Sequence, residues 1–95
     1  MTDQVRLHVF VRGKVQTVRY RMFTLEASSK YNLTGWVRNR FDRSVELLAE
    51  GDRGDLEKFL EILKIGPSMS NVEKIEREWL EATGEFDKFR IRMTR

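Results

Sequence analysis

The sequence predicts an α+β fold, with two helices packed on one face of a mostly antiparallel sheet. Three observations predict it. Apolar residues alternate with polar ones in segments 5–12, 44–50 and 88–94, the period of a half-buried strand. Apolar residues recur at helical spacing over 20–31 and 56–63. The resulting order is β-α-β-β-α, an undecided segment, and a last β. The 95 residues suffice for one domain spanning 1–95.

Each element has its own signal. In 5–12, Val5, Leu7, Val9 and Val11 share one face, with Arg6, His8, Phe10 and Arg12 opposite. Gly13 ends this strand and opens a loop over 13–19. Tyr20, Phe23, Thr24, Ala27 and Tyr31 then form a helical stripe, and Asn32 can close the helix in a left-handed conformation. Segment 34–39 reads as a strand. A turn at 40–43 joins it to 44–50, where Val45, Leu47 and Ala49 alternate with Ser44, Glu46 and Glu50; the pair makes a hairpin. Leu56, Phe59, Leu60 and Leu63 give the second helix, with Asp52 or Asp55 as its N-cap and Gly66-Pro67 as its stop. Segment 71–82 fits either period, slightly favouring helix through Val72, Ile75, Trp79 and Leu80. In 88–94, Phe89, Ile91 and Met93 alternate with Arg90, Arg92 and Thr94. The order fits the ferredoxin-like split βαβ arrangement.

Composition narrows the function. With 40% hydrophobic and 35% charged residues, the chain can build a small core under a charged surface, and it is neither disordered nor membrane-spanning. It has no cysteine and one histidine, so disulfides, thiol nucleophiles and His-rich metal sites are excluded. His8 is expected to be a partly exposed strand residue without a catalytic role. The first 21 residues carry Arg6, Arg12, Lys14, Arg19 and Arg21 against Asp3 alone. Arg38, Arg40 and Arg43 follow, so an anion site belongs in this half.

The loop between the first strand and the first helix is the candidate. Backbone N–H groups turned inward form a nest for an anion, and the helix start adds unpaired N–H groups. Arg21 near the first turn can reach over the same concavity with a bidentate guanidinium. A cation there opposes the helix dipole, and a bound anion would relieve that.

Gly13 to Arg21, G-K-V-Q-T-V-R-Y-R, resembles the acylphosphatase signature G-x-V-Q-G-V-x-F/Y-R. Gly35-Trp36-Val37-Arg38-Asn39, then Val45 and Gly51, resembles the second signature of that family. The similarity continues through Gly66-Pro67, Val72 to Trp79 and Gly84 to Ile91, nearly the whole chain.

The resemblance implies a βαββαβ ferredoxin-like fold with an extra C-terminal edge strand, and it turns 71–82 into a strand. It also implies hydrolysis of the carboxyl-phosphate bond of a small-molecule acyl phosphate, without metal or cofactor. Arg21 would bind the phosphoryl group, the amides of Val15, Gln16, Thr17, Val18, Arg19 and Tyr20 would cradle it, and Asn39 would position the attacking water. Inorganic phosphate or sulfate would bind as product or inhibitor. A cytoplasmic monomer is expected, with no nucleic-acid or membrane partner. Two residues depart from the family pattern: Thr17 stands for a glycine in the cradle and Arg43 for a glycine in the hairpin turn. A β-branched residue at positive φ costs roughly 1–3 kcal/mol. The alternative reading is therefore a phosphate-binding module whose turnover is poor because of Thr17.

Overall fold

The computed structural model describes residues 3–95. The elements are β1 (Gln4–Lys14), α1 (Tyr20–Lys30), β2 (Thr34–Asn39), β3 (Val45–Asp52), α2 (Arg53–Ile65), β4 (Asn71–Glu81) and β5 (Phe89–Ile91). The sheet order is β4-β1-β3-β2-β5, antiparallel throughout except for the parallel β2–β5 pair. This is the ferredoxin-like fold with one added edge strand. None of the described helices is long and apolar enough to cross a membrane.

The core lies between the sheet and the two helices. Leu7, Val9 and Val11 meet Val37, Val45, Leu47 and Ala49 from the sheet, and Leu56, Phe59, Leu60 and Leu63 from α2. Burial of these side chains is the main driving force for the layer. Asp52 caps α2, accepting from the backbone N–H groups of Gly54 at 3.0 Å and Asp55 at 3.4 Å. Asn32 is left-handed (φ 55°). Beyond it the Leu33 N–H donates to the Ser28 carbonyl at 3.0 Å, closing α1.

Segment 71–81 is a strand, and its helix-like spacing has a geometric cause. A bulge opposite Arg12 and Gly13 leaves Glu73 as the extra residue, since Gly13 pairs with Val72 and Arg12 with Lys74. Val72 and Ile75 therefore both pack against the core although they are three residues apart. Gly13 is required there: its φ is 127°, and a Cβ would lie 2.1 Å from the Asn71 carbonyl oxygen. The predicted strand over 88–94 is shorter, and its alternation fails after Phe89. Phe89 is buried, but Ile91 is 38% and Met93 88% exposed, because the edge strand runs out from under the helices. The backbone beyond still follows β2: Arg92 N–H donates to the Val37 carbonyl, and Arg95 N–H to that of Asn39.

The open face of the sheet holds paired charges. Glu46 accepts from His8 at 2.7 Å, and from Arg38 and Arg40 at 2.9 Å. Glu50 takes Arg6 and the backbone N–H groups of Thr83 and Gly84. Burial opposes ionisation of both carboxyls. The hydrogen bonds outweigh it and hold both below the usual carboxylate range.

Candidate active site

The site forms where β1 ends, α1 begins and β2 ends. Val15 anchors the loop, its side chain fully buried in the core. Thr17 (φ 61°) and Arg19 (φ 63°) are left-handed, while Gln16 before them and Val18 between them are not. Left-handed residues alternating with residues of negative φ are the backbone pattern from which anion-binding nests are built. No backbone N–H from Val15 to Met22 donates to another described residue. The start of α1 is uncapped as well: Arg19 makes no side-chain cap bond, and the first turn has no acid. Such a helix end attracts negative charge.

A cleft of about 360 Å³ lies over these amides, lined by Val15, Gln16, Thr17, Arg19, Tyr20, Arg21, Met22, Asn39 and Ile91. Arg21 and Asn39, far apart in sequence, thus open onto one concavity with the loop. Of the eight residues expected at the site, only Val18 does not line it. Tyr20 contributes its place at the helix start rather than its hydroxyl. That hydroxyl is buried and donates to the Leu63 carbonyl at 2.6 Å, tying α1 to the end of α2. Burial pushes its pKa well up. His8 lies on the open sheet face against Glu46, away from the cleft.

One role was invisible in the sequence. The Gln16 side-chain amide donates to the Arg40 carbonyl at 2.8 Å and the Ser44 carbonyl at 2.9 Å. It clamps the cradle to the β2–β3 turn, and so sets the distance from the loop amides to Asn39. Only the matching glutamine of the signature hinted at it; spacing and periodicity carried no signal. The turn is itself fixed by Asp42, which accepts from the Ser44 hydroxyl and N–H. Those bonds, with Arg12 beside them, lower the Asp42 pKa to about 2. Arg43 occupies this turn with φ 74°.

The acylphosphatase family model matches residues 7–91. The chain belongs to the acylphosphatase family. It is a hydrolase of acyl phosphates, the activity that defines the family. The acylphosphatase of Pyrobaculum islandicum is 44% identical over 90 residues, covering 94% of this chain and 95% of the relative. That of Pyrobaculum aerophilum is 46% identical with the same coverage. The crystal structure of the Bacillus subtilis acylphosphatase superposes with a TM-score of 0.89 at 36% identity, covering 92% of this chain and 97% of that one.

Proposed function

We propose that Arg21 and the amides from Val15 to Tyr20 hold the phosphoryl group of the acyl phosphate while Asn39 positions the attacking water. The observation that carries this division of labour is the row of unpartnered N–H groups in one cleft with the guanidinium of Arg21 and the carboxamide of Asn39. The water oxygen bonds to phosphorus, the bond from phosphorus to the carboxyl oxygen breaks, and the carboxylate leaves with the electron pair. No carboxylate or imidazole lines the cleft, so a phosphoryl oxygen takes the proton of the water. Carboxylate is a good leaving group, so positioning and charge stabilisation suffice without a strong general acid. The asparagine amide orients the water by one accepted and one donated hydrogen bond.

Turnover in this reading requires no metal ion. In this reading the whole chain, 1–95, acts as one cytoplasmic domain and a monomer, with inorganic phosphate or sulfate as competitive inhibitor. Its open sheet face does not suit stacked bases, because Trp36 lies under Arg38 and Arg92.

The test is hydrolysis of benzoyl phosphate with and without chelator, by Arg21→Ala and Asn39→Ala alongside the unaltered chain. Arg21→Ala should weaken phosphate binding and turnover together. Asn39→Ala should lower kcat by about 10²–10³ with phosphate affinity retained. Loss of activity in chelator, regained with a divalent ion, would overturn metal independence. Phosphate binding without hydrolysis would establish the alternative, a binding module limited by Thr17.

A further inference from the structure

A second concavity adjoins the phosphate cleft. It has a volume of about 490 Å³ and shares Arg19 and Met22 with that cleft. Val18 and Phe23 line it from the loop and α1, and Pro67 and Met69 from the segment after α2. Met22 is 41% and Met69 67% exposed. Two neighbouring solvent-facing methionines form a soft, adaptable apolar surface of the kind that receives ligands of varied shape.

The direction of the reaction selects this groove. In phosphoryl transfer the attacking and leaving oxygens lie roughly in line on opposite sides of phosphorus. The water belongs to Asn39, at the end of β2, beside the turn to which Gln16 is clamped. The leaving carboxylate must therefore point away from that turn. The cleft lined by Lys14, Thr17 and Arg43 lies on the turn's side of the loop. The methionine groove lies on the other flank, where α1 meets 67–69. We infer that the groove between Met22 and Met69 receives the acyl group of the substrate and favours uncharged, apolar acyl phosphates. Arg19 and Glu26 both line it and oppose each other's effect on a charged acyl group, so a second carboxylate gains no net attraction there while it loses water.

This inference rests on the proposed placement of phosphate and water, and the test separates the two. Acetyl, butanoyl, hexanoyl and succinyl phosphates are compared as substrates, and methylphosphonate and hexylphosphonate as ligands by calorimetry. Hexanoyl phosphate should exceed acetyl phosphate about tenfold in kcat/KM, mainly through KM, as its added methylenes leave water. Succinyl phosphate should fall below butanoyl phosphate. Met69→Asp should bring the hexanoyl-to-acetyl ratio close to one, and Met69→Leu should keep it. Inorganic phosphate inhibition, which reads the cradle alone, verifies the fold of each variant. Equal kcat/KM along the chain-length series, or equal losses for both substrates in Met69→Asp, would overturn the groove and leave the activity standing. Tighter binding of hexylphosphonate that depends on Met69, without hydrolysis of any acyl phosphate, would leave the groove standing and overturn the hydrolytic mechanism.

Discussion

Thr17→Gly tests where the strain of the cradle resides. Thr17 sits at φ 61° in the loop, and its exposed side chain makes no hydrogen bond to another described residue. A left-handed conformation costs a residue with a Cβ about 1–2 kcal/mol, most when it is β-branched. Glycine removes that cost but widens the unfolded ensemble, which costs about 0.4–1 kcal/mol. The net expectation is stabilisation by about 0.5–1 kcal/mol. For a domain of this size that raises Tm by a few degrees, at about 4–8 °C per kcal/mol. The nest is already formed with threonine in place, so kcat/KM should change less than about threefold. Thermal unfolding followed by circular dichroism and benzoyl phosphate turnover are the paired assays. Thr17→Ala keeps the Cβ and should recover little of the stability. A lower Tm for Thr17→Gly would refute the strain argument. An unchanged Tm with a tenfold gain in kcat/KM would mean that threonine biases the loop toward a non-binding conformation. Activity kept by Thr17→Ser but lost in Thr17→Gly would place the hydroxyl on the phosphate.

Gln16→Ala removes one of two donors from each of the Arg40 and Ser44 carbonyls, which keep the backbone N–H groups of Arg43 and Arg40, a loss of about 0.5–1.5 kcal/mol per hydrogen bond; it should lower kcat tenfold or more with little change in phosphate inhibition, and Gln16→Glu, which puts an acceptor against two acceptors, should be worse. Tyr20→Phe removes a buried hydrogen bond to Leu63 and should lower Tm by an amount equivalent to about 1–2 kcal/mol with kcat nearly unchanged, as read from thermal melts and turnover. The carboxyl pKa values of Glu46 and Glu50 are depressed in the folded state from 4.5, so their stabilisation is complete above that value and is lost as pH falls below it through the folded values. Thermal melts from pH 7 to pH 2 should show that decline, and Glu50→Gln should flatten part of it while lowering Tm at pH 7.

The strands and helices that build the core were legible because burial imposes a period. Leu7, Val9 and Val11 alternate as a covered strand must, and Leu56, Phe59, Leu60 and Leu63 repeat as a packed helix must. Segment 71–81 misled for a local reason: the bulge across from Gly13 spaces Val72 and Ile75 as a helix would. Met93 misled because alternation says nothing about where the covering helices end. The loop before α1 and Arg21 carried a signal of their own, in the basic residues gathered at a helix start, but Asn39, which lines the same cleft, was legible only through the family resemblance, since no period encodes a site assembled from the ends of separate elements. The Gln16 clamp and the Met22–Met69 groove depend on tertiary approach: one joins loop to turn, the other joins α1 to the segment after α2.

The charge distribution explains why a nearly balanced surface still yields an anion site. The net charge is only +3, and much of the basic half is neutralised locally. Arg6 pairs with Glu50 and Glu85, Arg12 with Glu76 and Asp42, and Arg38 and Arg40 with Glu46. Arg19 and Arg21 have no such partner among the described residues. They stand at a helix start with neither cap nor acid, where a cation is disfavoured by the dipole. An acid in that first turn would satisfy the helix end and the arginines together, and would also compete with any phosphate. Leaving the first turn without an acid therefore forgoes some stability and keeps the amides and guanidinium available to substrate. The left-handed strain at Thr17 has the same character, since it holds N–H groups in a shape that the folded chain itself never uses. Stability forgone at these few residues is consistent with an enzyme that needs no strong acid, base or metal: positioning is the chemistry, and the loop is folded in advance to supply it.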